Sequence, residues 1–277
     1  MPFERDGVQR VRRCECWRQT SLDKRLGEAR IPRRYLHCDF DRFLSYGNAS
    51  LDRALAAARA LARDFPARER GLFLLGPPGV GKTHLAVAVL RDLIVTRGAR
   101  GIFYDTRDLL RLIRSTYDPI VRTTELDILR PVMQADVLVL DDLGAEKTSE
   151  WVEETLNLIV NTRYNEKRLT LFTSNFVDDP DASAPESLVF RIGFRMRSRL
   201  HEMCDFLDLD GADYRELPAN GGEADLVALW RMRQKPSAQK LPGKAGTPLR
   251  ARLKEGPRIG TGAAPELRWP GGRAGSK

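Results

Sequence analysis

Gly76-Pro77-Pro78-Gly79-Val80-Gly81-Lys82-Thr83 has the spacing G-x-x-x-x-G-K-[ST], a layout suited to holding phosphate. Its glycines let the backbone curl until successive N–H groups face phosphate oxygens, and a helix starting at the loop's end adds its positive dipole end. Lys82 is expected to reach the β- and γ-phosphates of a nucleotide, and the Thr83 hydroxyl to bind magnesium. With the adjoining His84, these residues form the candidate binding set. A Gly-Pro turn between a strand and a helix is the plain alternative. The flanks decide against it: Leu72-Phe73-Leu74-Leu75 precedes the loop as an apolar strand bounded by glycines, and residues 83–95 follow as a helix apolar on most sides.

A second apolar run, Val137-Leu138-Val139-Leu140, ends in Asp141-Asp142, with Asp141 lying 59 residues past Lys82. In an open parallel sheet, ligands bind at the carboxyl ends of the strands. Asp141 is then expected to hold magnesium, directly or through water. Asp142 is expected to orient or deprotonate an attacking water, because phosphoryl transfer depends mostly on positioning and charge stabilisation. Two aspartates opening a solvated loop are the alternative. Thr173-Ser174-Asn175 ends another strand-like run. An Asn amide can donate to a γ-phosphate and accept from water at once, and it is also an ordinary turn former. Residues 190–201 carry Arg191, Arg195, Arg197 and Arg199, with Arg195 and Arg199 on one helical face. That face is either a solvated, salt-bridged surface or the source of an arginine finger for a neighbouring subunit's nucleotide.

Positioning these groups takes strands that alternate with helices. Leu51, Ala54, Leu55, Ala58, Leu61, Ala62 and Phe65 recur at helical spacing, with Asn48 or Ser50 as the cap and Pro66 as the stop. Ile102-Phe103-Tyr104 reads as a strand, and residues 107–114 and 125–134 leave room for two helices. Thr155, Leu156, Ile159, Val160 and Tyr164 mark a further helix. Leu169-Thr170-Leu171-Phe172-Thr173 is a fourth strand and Phe206-Leu207-Asp208-Leu209 a fifth. The alternation predicts an α/β fold with a mainly parallel five-stranded sheet between helices.

The 277 residues carry 46 Lys+Arg against 38 Asp+Glu, a net charge of +8, which by itself invites a nucleic-acid partner. The excess is confined to the ends. Residues 231–277 hold twelve basic and two acidic side chains, residues 1–34 hold ten and five, and residues 35–230 carry a net −7. Any bulk electrostatic grip on DNA is therefore expected from the termini and should be strongly salt-dependent. A hydrophobic fraction of 42% with 30% charged residues suits a soluble globular chain. Four cysteines, Cys14, Cys16, Cys38 and Cys204, cannot make a dense disulfide framework, so a reducing compartment is expected. No apolar run approaches the roughly 18 residues of a membrane span, and the Arg-rich first twenty residues lack a signal peptide's apolar stretch. The chain reads as cytoplasmic.

Taken together, several segments resemble the AAA+ ATPases, and within them the bacterial DnaC/DnaI-type helicase loaders and the related IstB-type transposition ATPases. They are Ile31-Pro32-Arg33-Arg34-Tyr35, the GPPGVGKTHLA loop from Gly76, VLVLDDLGAEK from Val137 to Lys147, the Thr-Ser-Asn strand end, and Arg195-Met196-Arg197-Ser198-Arg199-Leu200. The resemblance covers roughly residues 30–215. It implies a P-loop NTPase fold of the ASCE type, with ATP and magnesium as cofactors and Asn175 as the sensor-1 residue. Arg199, or in second place Arg195, is implied as a finger supplied in trans, within a homo-oligomer formed on ATP. Residues 106–135 correspond to the segment that relatives use on single-stranded DNA. Arg107, Arg111 and Arg114 become candidate backbone contacts there, a solvated helix face interleaved with Asp108 being the alternative.

The implied function is ATP hydrolysis in DNA replication, loading a replicative helicase onto single-stranded DNA. One alternative is an IstB-like transposition helper with a transposase as partner. Another is a nucleotide-dependent binding switch with negligible hydrolysis, which suits the Asp at position 142, one methylene shorter than Glu. Relatives of the DnaI type carry a four-ligand zinc module, whereas Cys14-x-Cys16 has no preceding pair, and His37 with Cys38 lacks the spacing to complete it. Zinc is not expected. Residues 1–46 are read as a basic N-terminal extension, a truncated zinc or partner-binding module. Residues 47–217 are expected to form the ATPase domain, and residues 218–277 a basic, Pro/Gly-rich disordered tail.

Overall fold

A computed structural model of the chain describes residues 2–5, 8–11, 15–146, 149–181 and 183–234. An antiparallel hairpin of β1 (Pro2–Arg5) and β2 (Val8–Val11) comes first, then helix α1 (Glu15–Glu28) and a 3-10 turn over Arg33–Tyr35. Helix α2 (Ala49–Asp64) begins where the Asn48 side chain accepts from the backbone N–H groups of Ser50 and Leu51, so Asn48 rather than Ser50 is the cap.

The main sheet is entirely parallel. Its strands are β3 (Gly71–Leu75), β4 (Gly101–Asp105), β5 (Val137–Asp141), β6 (Leu169–Ser174) and β7 (Cys204–Asp208), in the spatial order β4-β5-β6-β3-β7. These are the five strands that the apolar runs predict. The central three are buried along their whole length, which is why their sequences read as continuous apolar stretches rather than alternating ones. Successive side chains go to opposite faces. Leu72, Leu74, Val137, Val139, Leu169 and Leu171 enter one core with α2 and α3 (Lys82–Arg97). Phe73, Leu75, Leu138, Leu140 and Phe172 enter the other. That second core is closed by α4 (Thr106–Ser115), α5 (Glu125–Gln134), α6 (Glu150–Asn165) and α7 (Leu188–Met203). Gly193, at φ 76° and ψ 160°, breaks the helical path inside α7.

Core packing crosses two of the expected boundaries. Residues 1–46 are not a separable extension throughout: Ala29, Ile31, Cys38, Phe43 and Tyr46 are buried in the core under α2 and α3, and the Phe103 N–H donates to the Ala29 carbonyl at 2.8 Å. Their apolar residues are spaced irregularly, so no period announces them. Residues 218–277 are not a tail from the start either. Helix α8 (Glu223–Gln234) buries Leu226 completely in the same core, with Val227, Leu229 and Trp230 packed against it. The remaining expectation of disorder, on residues 235–277, lies outside the described residues. Among the described residues no helix is long and apolar enough to cross a membrane.

Candidate nucleotide site

Strand β3 ends at Leu75, the loop spans residues 76–81, and α3 starts at Lys82. The turn needs backbone that L side chains rarely adopt: Gly79 lies at φ 80° and Gly81 at φ 99°. At Gly79 the requirement is doubled, because the Asp213 carboxylate occupies the place a Cβ would take. Lys82 is buried, and its Nζ donates to the carbonyls of Gly76 and Pro77, each at 2.8 Å, and to Asn175 Oδ1 at 2.7 Å. Burial lowers its pKa to about 8, against the opposing pull of the Asp142 and Asp141 charges.

Asp141 and Asp142 leave the end of β5 in different directions. Asp141 is buried, and its carboxylate accepts from the Thr83 hydroxyl at 2.9 and 3.1 Å and from the Thr173 hydroxyl at 2.6 Å. Burial pushes this carboxyl up to about 6, the Asp142 and Asp105 charges adding to the effect and the two hydroxyl bonds opposing it. Asp142 takes a left-handed conformation at φ 54°. Its N–H donates to Thr173 Oγ1 at 2.9 Å, and its Oδ1 accepts from Asn175 Nδ2 at 3.1 Å. Thr173, which in the sequence marks only a strand end, bridges both aspartates through its hydroxyl. The arrangement follows from strand order. With β6 lying between β5 and β3, its carboxyl end stands between the acidic pair and the lysine.

These donors fit magnesium. Thr83 and Asp141 are hard oxygen ligands, and magnesium is usually held by one or two protein oxygens with phosphate and water completing the octahedron. A buried carboxylate whose charge is costly is also the group that a cation would relieve. Among the described residues no cluster of three or more His, Cys, Asp or Glu could form an all-protein metal cage. Of the cysteines weighed for zinc, Cys14 lies outside the described residues, and Cys38 is a buried free thiol beside the exposed His37.

The phosphate loop opens into a cleft of about 830 Å³. Lys82, Thr83, Asp141, Asp142 and Asn175 are among the residues lining it. His84 lines it too, but its Nε2 donates to the Asp39 carbonyl at 2.8 Å, so it also clamps α3 to the preceding segment. Other lining residues had no assigned role. Arg34 and Tyr35 belong to the segment that resembles relatives; Asp105 closes β4, and Tyr214 and Arg215 lie in the 3-10 turn Tyr214–Glu216 after β7, where no motif marks them.

The arginines of α7 do not join this cleft. Arg195 is exposed, Arg199 donates to the Arg195 carbonyl at 3.3 Å, and Arg197 forms a two-pronged pair with Asp178 at 2.6 and 3.1 Å. None of them is among the residues lining the site of its own chain. On α4, Arg107 donates to the Ala145 carbonyl, Arg111 pairs with Asp108 at 3.5 Å, and Arg114 stacks 4.5 Å over the Trp151 ring. All three remain exposed.

The fold and site have known counterparts. A family model described as IstB-like ATP binding protein matches residues 11–216. The uncharacterized protein YqaM of Bacillus subtilis is 25% identical over 217 residues, covering 74% of this chain and 65% of the relative. The replicative helicase loader DnaC of Buchnera aphidicola (from Acyrthosiphon pisum) is 28% identical over 154 residues, covering 56% of this chain and 62% of the relative. The chain thus spans less than two thirds of the length of these relatives. A crystal structure of the DnaC helicase loader superposes with a TM-score of 0.57 at 36% identity, covering 65% of this chain and all of that one. The parallel sheet, the phosphate loop and the acidic strand end are those of an AAA+ P-loop protein, and the chain belongs to the family of IstB-like ATP-binding proteins.

Proposed function

We propose that this protein binds and hydrolyses ATP with magnesium and works in DNA replication, loading a replicative helicase onto single-stranded DNA. One observation carries the ATPase reading: two joined networks, Lys82–Asn175–Asp142 and Thr83–Asp141–Thr173, meet at the carboxyl ends of three adjacent parallel strands. Lys82 would exchange the Gly76 and Pro77 carbonyls for β- and γ-phosphate oxygens. Thr83 and Asp141 would hold magnesium, which neutralises charge on the phosphates. Asp142 would orient or deprotonate the attacking water, with the Asn175 amide fixing both water and γ-phosphate. Arg199, or else Arg195, would stabilise the transition state in a neighbouring copy, which makes the active form a homo-oligomer assembled on ATP.

The replication role is supported by two of the matches, a relative named replicative helicase loader DnaC and a solved structure of the DnaC helicase loader. The DNA side is supported by the exposed arginines of α4, Arg107, Arg111 and Arg114, of which Arg114 stacks over Trp151 with Tyr117 against the same ring, a pairing of guanidinium and aromatic groups suited to single strands. The test is ATP turnover by the full chain with and without single-stranded DNA, beside Lys82→Ala. Turnover stimulated by DNA and lost in the variant is expected; tight binding with no turnover would instead leave a nucleotide switch. The family description favours one second reading, a helper of a transposase. Binding assays against a purified replicative helicase and a purified transposase separate the two.

A further inference from the structure

We propose that Asp178 is a positioning residue for the arginine supplied in trans. It fixes the direction of the second half of α7, from which Arg195 and Arg199 are offered to a neighbouring copy. This deepens the ATPase reading above and rests on it, whichever of the two arginines is the finger.

Helix α7 is two pieces rather than one. Ser187 caps its start, the hydroxyl accepting from the Val189 N–H at 3.2 Å. At Gly193 the backbone leaves the helical path, at φ 76° and ψ 160°, a region that only glycine enters without strain. Direction set at the capped end is therefore not carried through a continuous hydrogen-bond ladder to residues 194–203. The second piece takes its direction from what it packs against. Met196, Leu200 and Met203 bury one side of it in the core, but apolar burial is non-directional. A charged, hydrogen-bonded contact adds the missing direction.

Asp178 supplies that contact. Its Oδ1 accepts from Arg197 Nε at 2.6 Å and its Oδ2 from Arg197 Nη2 at 3.1 Å, while His201 Nε2 lies 3.0 Å from the same Oδ2. Arg197 and His201 are four residues apart, so one carboxylate grips the half-helix at two successive turns. The His201 ring stacks on Phe206 of β7, with centroids 3.9 Å apart and planes 6° from parallel, which extends the grip to the sheet. At 100° per residue, Arg195 and Arg199 fall on the side opposite Arg197 and His201. The pair facing inward thus aims the pair facing outward.

The carboxylate is itself held. The Val177 N–H donates to the Glu186 carbonyl at 3.2 Å, the Leu188 N–H to the Val177 carbonyl at 2.8 Å, and the Ser187 hydroxyl to the Asp179 carbonyl at 2.6 Å. Asp178 also lies three residues past Asn175, which is bonded to Lys82 and Asp142. One short segment joins a chain's own nucleotide cleft to the half-helix that it offers its neighbour.

The experiment is ATP turnover by the assembled full chain on single-stranded DNA, for Asp178→Asn, Asp178→Ala, Arg197→Met, the Asp178→Asn/Arg197→Met double variant, Arg195→Ala and Arg199→Ala. Thermal melting confirms that each is folded. Asp178→Asn is expected to lower kcat by about ten- to one-hundredfold, as for a reacting group misplaced by about 1 Å, with KM and MgATP affinity unchanged. Arg197→Met should do the same, and the double variant should lose nothing further. Mixed assemblies separate aim from folding. Asp178→Asn subunits should regain part of their turnover beside Lys82→Ala subunits, whose α7 is intact. They should regain none beside whichever of Arg195→Ala and Arg199→Ala is inactive by itself. Full turnover in both Asp178 variants overturns the proposal, as does failure of the Lys82→Ala mixture to restore any. Wild-type turnover in both Arg195→Ala and Arg199→Ala would instead strike the finger itself, and with it what Asp178 is placed to aim.

Discussion

Lys82 Nζ donates to Asn175 Oδ1 at 2.7 Å, although 93 residues separate them along the chain. Through the Asn175 amide the same contact continues to Asp142. The lysine that would bind phosphate and the carboxylate that would act on water are therefore two bonds apart in one network. A phosphate group that draws Lys82 away also releases Asn175 Oδ1, the acceptor that would hold the water.

Lys82→Ala is expected to weaken MgATP binding by at least about a hundredfold, since a buried cation contacting phosphate contributes more than a neutral hydrogen bond. Titration of the folded variant checks this. Retained tight binding would sink the assignment of the loop.

Thr173→Val removes the hydroxyl that joins Asp141 to the Asp142 N–H. The N–H is left without its partner, and the expected loss is about 1–3 kcal/mol of unfolding free energy. ATP turnover should fall more than ATP affinity, because Asp141 and Asp142 lose their relative orientation while the phosphate loop is untouched. A variant that keeps full turnover would place the hydroxyl outside the chemistry.

The two buried charges set opposite pH dependences. Asp141 rises from an ordinary value of 3.8 to about 6, so its folded carboxyl holds a proton that the unfolded chain releases. Stability from this group is full below about pH 4 and lost as pH rises through 6. Lys82 drops from 10.5 to about 8. Between pH 8 and 10.5 the unfolded chain binds the extra proton, so stability recovers as pH rises across that window. Asp141→Asn should flatten the acid limb and Lys82→Met the alkaline one in urea unfolding curves measured against pH. Magnesium-dependent ATP binding should also decline below about pH 6, where the carboxyl is protonated. A binding curve flat from pH 5 to 8 would contradict that role for Asp141.

Arg163 is wholly buried with no carboxylate hydrogen-bonded or ion-paired to it among the described residues. It donates instead to the Val132, Met133, Ala135 and Leu169 carbonyls and to the Thr170 hydroxyl. The free carbonyls in the last turn of α5 act as its counter-charge. Burial lowers its pKa to about 9. Arg163→Met keeps the length but strips every donor, and a loss of about 2–4 kcal/mol is expected from the stranded carbonyls. Denaturant unfolding of the variant at pH 7 gives the number, and a neutral result would mean that the cation's own desolvation offsets its bonds.

Arg199→Ala should leave ATP affinity unchanged in isolated subunits and reduce turnover only in the assembled state. Mixing Arg199→Ala with Lys82→Ala subunits should restore part of the activity, since each supplies what the other lacks. Full turnover by a strictly monomeric preparation would remove the finger from the mechanism.

The parts legible in the sequence were those whose cause is local. A glycine-rich loop between an apolar strand and a helix announces itself in fewer than twenty residues, and so does an aspartate pair closing an apolar run. The Asn48 cap was legible in the same way, as one of two candidates before a helical apolar pattern. What stayed hidden depends on distant neighbours. Arg163 looks like any solvent-facing arginine on a helix until the end of α5 closes over it. Residues 29–46 contribute apolar groups without a period, and α8 is a short helix next to residues rich in Pro, Gly, Lys and Arg.

By itself, the sequence determined the five strands, the phosphate loop and the acid pair, because apolar runs and glycine spacing constrain the backbone nearby whatever surrounds them. Only the tertiary structure decided that β6 inserts between β3 and β5, and this is what brings Thr173 and Asn175 to Asp141, Asp142 and Lys82. Strand order is set by which faces bury together and which ladders pair. Those are long-range terms that leave no trace in any one stretch of chain. The same holds for Arg215, which lines the cleft where backbone bonds tie Leu209 to Leu75 and Tyr214 to Gly79.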